Sequence, residues 1–340
     1  MKKEVKFFMG MDVSKLWVDI AVMKVVDHCK EPLVTERFDN DNKGINALDK
    51  WLKELKVSFN KNTLLVIENT GIYHRIVWEY CSANKLCINI GNAAHIKWSL
   101  GLVRGKNDKV DSERLCVYAF KNAEDLKGAP VLNPVLLKLK DLMSSRSMLL
   151  ESLNKTKVYL NELKLSNSKE THAIMMETHK PAIEGLKLSL KCIQKEILKI
   201  ITENPDIAKN YKLLISVPGI GHLTAVYIIC CTNNFICKIT GKQLSSYAGV
   251  APFREKSGTS INGRNKVHKM ANKELKKLFT MGALSAISHY PEFRDYYNRK
   301  KEEGKHPQSI LNAIKSKIAL RAVAVINNDA AYVNNYKKAA

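Results

Sequence analysis

Short apolar runs and amphipathic stretches alternate along the first third of the chain. Residues 5–27 hold two apolar runs separated by a turn, and residues 33–38 fit a third short strand. Residues 42–55 carry apolar side chains at the spacing of one face of a helix. These side chains are Ile45, Leu48, Leu52 and Leu55. The pattern predicts a group of early strands followed by an amphipathic helix.

A second group of elements continues the alternation. Residues 63–67 (TLLVI) form an apolar run typical of a buried strand, and this run ends at Glu68. Residues 72–84 have helical spacing, and residues 86–90 form another short apolar run. Strands and helices in this order predict a mixed α/β domain. The early hairpins argue against a uniformly parallel sheet.

The middle of the chain, residues 133–204, differs in character. It is rich in Leu, Lys, Glu and Ser and has long helical periodicity, with breaks expected around residues 166–168 and at Pro181. We predict two long antiparallel helices here, and the pattern favours a coiled coil. Helix pairs of this kind are typical of a spacer or an oligomerisation element.

The last third of the chain is mainly helical. Two apolar segments flank the sequence PGIG, an arrangement similar to a helix-hairpin-helix module, whose glycine turn offers backbone N–H groups to a phosphate. The alternative is that the same turn simply joins two helices. A polar, glycine-rich stretch follows at residues 254–267, and residues 268–288 and 306–327 have helical spacing.

The composition adds a strong positive charge to this picture. The chain has 340 residues with 55 Lys and Arg against 33 Asp and Glu, a formal net charge of +22. Hydrophobic residues make up 45%, which excludes a chain disordered throughout. Residues 250–321 contain 16 basic and 6 acidic residues. A net charge of either sign would keep the protein soluble, whereas a nucleic-acid partner accounts for a positive one. We therefore favour nucleic acid as the partner.

Other classes of protein fit the sequence poorly. No apolar run approaches the ~20 residues that span a bilayer, and no secretory signal is evident at the start, so we expect a cytosolic protein without a membrane partner. The eight cysteines include no CxxC pair and no Cys/His cluster with zinc-ligand spacing. A disulfide framework or a zinc site is therefore not expected.

Four acidic residues stand out by their positions. Asp12 follows the first apolar run, and Glu68 ends the run TLLVI. Asp108 and Asp111 are three residues apart at the start of a predicted helix and therefore share a face. Gathered carboxylates repel unless a counter-ion is present, and Mg²⁺ prefers oxygen ligands. The three aspartates also have ordinary interpretations: Asp12 as a turn residue, Asp108 as a helix N-cap and Asp111 as a favourable first-turn charge.

Six sequence blocks resemble the DEDD transposases of the insertion-sequence-one-ten family, to which the Piv-type DNA invertases are related. The blocks are MGMDVSK, VIENTGIYH, KNDKVDSERL, SVPGIGHLTA, SYAGVAPFREKSGTSINGR and RKKEEGKHP. They cover nearly the whole chain and occur in the order of the family. The resemblance implies a RuvC-like domain of the RNase H type at residues 1–130, a helical spacer at residues 131–208 and a transposase domain at residues 209–340.

The resemblance also assigns site residues. It makes Asp12, Glu68, Asp108 and Asp111 the tetrad that binds Mg²⁺, and Ser257 the nucleophile of the transposase domain. Basic residues flank the serine and would hold scissile phosphates, although a solvated basic loop is the alternative interpretation. These residues are Arg254, Lys256, Arg264 and Lys266. A serine hydroxyl needs a base or a metal to activate it, and the sequence leaves open which one does so.

The implied function is a DNA recombinase of a prokaryotic insertion sequence. Attack by Ser257 would give a phosphoserine–DNA intermediate that conserves bond energy for rejoining. The family resemblance further implies donor and target double-stranded DNA, a structured bridge RNA that pairs with both, a tetramer arranged as a dimer of dimers, and a place at the nucleoid. Two alternatives remain: a Mg²⁺-dependent nuclease of the Holliday-junction resolvase type, and a non-catalytic nucleic-acid-binding protein.

Overall fold

A computed structural model defines the fold in two compact units, Met1–Leu132 and Asn133–Ala340. The described residues are 4–101, 107–166, 168–253, 256–257, 261–262, 266–267, 270–334 and 336. Within these residues, no helix combines the length and the apolar composition needed to cross a membrane. The three-part division expected from the sequence stays a prediction.

The first unit is built on one mixed sheet. Its strands are β1 (Val5–Val13), β2 (Trp17–Val26), β3 (Cys29–Lys30), β4 (Val34–Asp39), β5 (Thr63–Glu68) and β6 (Cys87–Gly91). The order across the sheet is β3-β2-β1-β5-β6, and β4 also pairs with β2. β1 is antiparallel to β2 and parallel to β5, and β6 is parallel to β5. The predicted mixed sheet is confirmed.

Helices cover both faces of this sheet. They are α1 (Asn42–Glu54), α2 (Arg75–Ala83), α3 (Ala93–Leu100) and α4 (Asp108–Lys121). Side chains of α1 and α2 pack with Met9 and Met11 of β1 on one face, while α3 and α4 pack with Phe8 on the other. β1 is therefore apolar at successive positions because both of its faces are buried. No apolar periodicity predicts α3, because Ile96 is its one buried residue.

The packing of α4 on β1 depends on a glycine. A Cβ atom at Gly10 would lie 2.0 Å from the backbone nitrogen of Cys116 and 2.4 Å from the carbonyl oxygen of Ser112. The Cys116 thiol also donates to the carbonyl oxygen of Phe8, at 3.1 Å. Helix and strand therefore meet backbone to backbone, a distance that only glycine permits.

The second unit is mainly helical, as predicted. Its helices are α5 (Pro134–Ser166), α6 (Lys169–Glu203), α7 (Pro205–Ile215), α8 (His222–Cys231), α9 (Gly241–Tyr247), α10 (Lys273–His289), α11 (Pro291–Glu302) and α12 (Pro307–Asn327). The long helices α5 and α6 pack against each other and run antiparallel, with Lys138 Nζ 3.0 Å from Glu196 Oε1. The expected break at Pro181 is wrong, because α6 continues through this residue.

The PGIG sequence forms the turn between α7 and α8. Gly219 has a φ of +87° and lies against Gly282 of α10, where a Cβ atom would be 2.1 Å from the Gly219 carbonyl oxygen. Val217 and Ile220 on either side are buried. Gly219 and Gly282 therefore allow close packing between this turn and α10. Phosphate binding by the turn stays a prediction.

The glycine-rich stretch after α9 contains two nested strand pairs. β7 (Pro252–Phe253) is antiparallel to β10 (Lys266–Val267), and β8 (Lys256–Ser257) is antiparallel to β9 (Ile261–Asn262). We call residues 252–267 the serine hairpin. Ser257 lies in the inner strand pair, opposite Ile261.

Replacing Gly10 by alanine tests the contact between α4 and β1. Because the new methyl group meets helix backbone, we expect Gly10→Ala to lower the free energy of unfolding by about 3 kcal/mol. Gly185→Ala is the matched control, since a Cβ atom at this position of α6 meets nothing within 4 Å. It should be neutral or stabilising by up to about 1 kcal/mol. Urea unfolding of the two full-length variants measures both changes, and equal effects would contradict the packing argument.

Candidate active site

Two parallel strands place the first two acids side by side. Asp12 lies near the end of β1, and Glu68 is the last residue of β5. Met11 is opposite Ile67 in the register of these strands, so Asp12 and Glu68 follow at neighbouring positions on one edge of the sheet. Both side chains are partly exposed, while the residues before them are buried.

The first turn of α4 supplies the other two acids. The Asn107 side chain caps this helix by accepting a hydrogen bond from the backbone nitrogen of Lys109, at 3.2 Å. Asp108 and Asp111 then occupy the first turn, where the helix dipole favours negative charge. The close packing at Gly10 fixes this end of α4 near the end of β1.

All four acids line one cleft of about 700 Å³ in the first unit. The remaining lining residues are Ala93, Ala94, Ile96, Lys97, Leu100, Arg114 and Leu115. The tetrad expected from the sequence is therefore gathered in one place. Its members come from β1, β5 and α4, which are far apart along the chain.

The clustering has an electrostatic cost at Asp12. The pKa of Asp12 is raised from 3.8 to about 6, chiefly by burial and in addition by the negative charges of Asp108, Asp111 and Glu68. Asp19, which is opposite Asp12 in the register of β1 and β2, contributes as well. The cleft therefore concentrates more negative charge than its surroundings neutralise.

Two arginines partly neutralise the other acids. Arg37 on β4 makes a bidentate pair with Asp19, with both N–O distances 2.9 Å, and its Nη2 also lies 3.2 Å from Asp108 Oδ2. Asp19 is 6% exposed, and Arg37 also stacks on the Trp17 ring. Arg114 pairs with Asp111 at 2.7 Å. Both arginines therefore supply counter-charge to acids of the cleft.

The donor set suits a hard divalent cation. Among the described residues that line the cleft, the side chains that could bind a cation are carboxylates, and none is a histidine or a cysteine. Across the described residues, no three side chains of His, Cys, Asp or Glu lie close enough together to hold an ion as they stand.

Three residues that shape this cleft were not predicted from the sequence: Gly10, Asp19 and Arg37. Asp19 is an acid at a buried strand position, which is the signal that could have identified it. Nothing in the sequence connects Asp19 with Arg37, because they meet only when β2 pairs with β4. His74 is buried, and its Nδ1 accepts a hydrogen bond from the backbone nitrogen of Thr70, at 3.2 Å.

The predicted serine site belongs to the second unit. Ser257 and Lys256 are in β8 and Lys266 is in β10, and the structure describes the backbone of all three. Arg254 and Arg264 lie outside the described residues. The roles of Ser257 and of the four basic residues stay predictions.

Two sequence families match this chain. Residues 9–164 match the DEDD family of IS110 elements, described as "Transposase", and residues 211–298 match the family described as "Transposase IS116/IS110/IS902 family". The chain is 25% identical to the "Pilin gene-inverting protein" of Moraxella bovis over 334 residues, which are 95% of this chain and 97% of the relative. It is 33% identical to an uncharacterized 43.6 kDa protein of insertion element IS110 from Streptomyces coelicolor, over 32% of this chain and 27% of the relative. The family expected from the sequence blocks is confirmed.

The raised pKa of Asp12 predicts a dependence of stability on pH. A carboxyl group that is protonated more easily in the folded state stabilises the fold at low pH, and that contribution is lost as the pH rises from about 4 through about 6. In EDTA at pH 7.5, Asp12→Asn should therefore be more stable than the parent, by about 1 kcal/mol once solvent screening is allowed for. The two proteins should converge toward pH 4. Thermal unfolding across this range measures the difference, and a less stable Asp12→Asn at pH 7.5 would contradict the assignment.

Proposed function

We propose that this chain, which belongs to the IS110-type family of DEDD transposases, cuts and rejoins DNA strands as the recombinase of an insertion sequence. One observation carries the proposal: Asp12, Glu68, Asp108 and Asp111 line a single cleft of the first unit. The relatives support DNA as the substrate, because one whose name describes gene inversion aligns over nearly the whole chain. The net charge of +22 agrees with a polyanionic partner.

We assign the first unit to the RuvC-like folds of the RNase H type. The sheet order β3-β2-β1-β5-β6 and the helices on both faces support this assignment. So does the position of the acids, at the end of two neighbouring parallel strands and on the helix packed against them. For the second unit, we propose that α5 and α6 form a coiled-coil spacer and that the PGIG turn belongs to a helix-hairpin-helix element.

The acidic cleft is the proposed metal centre. The four acids of the cleft would hold Mg²⁺: Asp12, Glu68, Asp108 and Asp111. The ion would polarise a phosphodiester and stabilise the charge on the attacking and leaving oxygens. Release of Asp108 and Asp111 from their pairs leaves Arg37 and Arg114 at the cleft. Arg37 keeps its bidentate pair with the buried Asp19, which holds the guanidinium in a fixed orientation toward a nucleic-acid phosphate.

Ser257 is the proposed nucleophile. Its oxygen attacks the phosphorus of a DNA phosphodiester, its proton passes to a base, and one DNA strand leaves as an alcohol. The resulting phosphoserine–DNA ester is then attacked by a hydroxyl of another strand, which restores the serine and a phosphodiester without an external energy source. Arg254, Lys256, Arg264 and Lys266 would hold the scissile phosphates in this scheme.

Because the chain belongs to this family, we also propose that an RNA guides it to its DNA sites and that its subunits assemble into a tetramer. A structured non-coding bridge RNA would pair separately with donor and target DNA and so choose the sites. The acids lie in the first unit and Ser257 lies in the second. We propose that a tetramer combines the acidic cleft of one subunit with the serine hairpin of another.

A covalent protein–DNA adduct tests the reaction. Full-length protein, its element's flanking RNA and Mg²⁺ should convert a nicked element-end DNA into an adduct that survives SDS and is destroyed by protease. Ser257→Ala should abolish the adduct, because no other oxygen replaces the nucleophile. Ser260→Ala in the same hairpin is the matched control and should retain it, while Asp12→Ala should reduce the rate by at least about 10³-fold.

Other outcomes of this assay would support the alternatives. Mg²⁺-dependent cleavage that persists in Ser257→Ala and gives no adduct would identify a nuclease of the junction-resolving type. Binding without cleavage under every condition would identify a non-catalytic binding protein. Either result would refute the proposed recombinase chemistry.

Metal binding can be measured apart from the reaction. We expect Mg²⁺ to raise the Tm of the parent protein, because the ion relieves repulsion among the four carboxylates. Asp12→Asn should lose most of this rise. Asp49→Asn is a suitable control, since Asp49 pairs with Lys53 and Tyr80 outside the cleft. An equal Mg²⁺ response in the two variants would exclude the cleft as the metal site.

A further inference from the structure

The second unit contains a pocket of about 500 Å³ that the acidic cleft and the serine do not explain. Its walls come from α5, α8 and α10, together with Tyr247 at the end of α9 and Asn272 at the start of α10. Cavities of this volume commonly hold small organic ligands. We call it the tyrosine pocket, because Tyr227 and Tyr247 both line it.

One asparagine holds both tyrosines of the pocket. Asn272 Oδ1 accepts a hydrogen bond from the Tyr227 hydroxyl, and its Nδ2 donates to the Tyr247 hydroxyl, each at 3.0 Å. The Asn272 side chain is itself fixed as the N-cap of α10, because Oδ1 also accepts from the backbone nitrogen of Leu275, at 2.9 Å. The two rings are therefore positioned by the fold.

Tyr247 combines a fixed hydroxyl with an exposed ring. The residue is 49% exposed, although its hydroxyl accepts from Asn272 and donates to Sγ of Cys231, at 3.9 Å. A ligand that immobilises a free side chain loses affinity through conformational entropy. The hydrogen bonds already restrict this ring, so a flat ligand can stack on it with a smaller entropic loss. Nucleobases stack on aromatic side chains in this way.

Two cations of α5 line the same pocket. They are Lys140 and Arg146, both partly exposed. One acid, Glu274, lines it as well, and its Oε2 lies 3.8 Å from Lys277 Nζ, so that its charge is partly offset. The lining therefore suits a ligand that carries both a flat ring and a negative charge. A nucleotide has both groups.

The pocket is built from the residues that support the serine hairpin. Tyr247 precedes the hairpin in the chain and Asn272 follows it, and the backbone nitrogen of Asn272 donates to the carbonyl oxygen of Tyr247 at 2.9 Å. This bond joins the two ends of the hairpin. The Asn312 side chain of α12 also donates to the carbonyl oxygen of Val250, at 2.8 Å. The pocket therefore lies at the base of the hairpin that carries Ser257.

We propose that the tyrosine pocket holds one unpaired base of the DNA strand that the serine hairpin binds. The base stacks on Tyr247, and its phosphate lies at Lys140 and Arg146. The pocket admits a single nucleotide and not a double helix, so the base leaves its pair to enter. This contact fixes the position of the strand on the hairpin without taking part in the chemistry. The inference rests on the proposed function for the identity of the ligand as DNA.

Binding of DNA with one bulged base tests the pocket. In EDTA, the full-length protein should bind a duplex of about 20 bp with a single bulged adenine about tenfold more tightly than the fully paired duplex. A duplex with an abasic bulge should bind no better than the paired one, because it has the same flexibility but no ring to stack. Fluorescence anisotropy of labelled duplexes measures the three affinities.

Two substitutions of Tyr247 separate stacking from hydrogen bonding. Tyr247→Phe and Tyr247→Leu both lose the hydroxyl and its bonds, but only the second loses the ring. Tyr247→Phe should keep most of the preference for the bulged adenine, whereas Tyr247→Leu should lose it. The Tm values of the two variants show whether they are equally well folded. Equal preferences in the two variants would contradict the stacking role.

A second pair of variants leaves the tyrosines intact. Ser144 is exposed on α5 and lines the pocket, so Ser144→Glu adds a negative charge there without removing a core side chain. It should reduce the preference for the bulged duplex. Ser152→Glu is the matched control, because Ser152 is exposed on the same helix but outside the pocket lining, and this variant should keep the preference of the parent. Equal effects of the two substitutions would count against the pocket.

Three further results would overturn the proposal. Tyr247→Leu could retain the preference, the abasic bulge could bind as tightly as the adenine bulge, or the preference could appear only with an RNA duplex of the same sequence. Because these titrations contain no metal, they do not depend on strand cleavage. A preference that depends on Tyr247, in a protein that forms no Ser257 adduct, would support the pocket and refute the recombinase instead.

Discussion

The contact between α4 and β1 at Gly10 is the constraint on which the candidate site depends. A helix can lie this close to a central strand only where the strand has no side chain on that face. The close approach brings the first turn of α4 to the end of β1, and Asp108 and Asp111 then share a cleft with Asp12. A single methyl group at Gly10 would move two of the four acids together, because both are on the same rigid helix.

Charge balance explains the rest of the cleft. Four carboxylates gathered together repel one another, and this repulsion adds to burial, the largest cause, in raising the pKa of Asp12. Arg37 and Arg114 reduce the cost by pairing with Asp108 and Asp111. The buried Asp19 holds Arg37 in place beside Asp108.

In the second unit, a helical core holds a short hairpin in place. The hairpin has four strands of two residues each, too few to be stable alone. Its two ends are tied to α9, α10 and α12 by backbone and asparagine hydrogen bonds.

The sequence by itself determined the kinds of element, because apolar spacing directly reports which faces are buried. It identified the strands around Asp12 and Glu68, the start of α4 and the two long helices, and the ordered blocks were enough to indicate the family. The sequence pattern did not predict α3, which buries one residue and has no periodicity. It wrongly predicted a break at Pro181, because a long helix can continue through a proline that would end a short one. Tertiary structure alone decided which residues meet: the Asp19–Arg37 pair requires β2 beside β4, and the role of Gly10 requires α4 on β1. Such contacts join residues distant in the chain, and no local pattern encodes them.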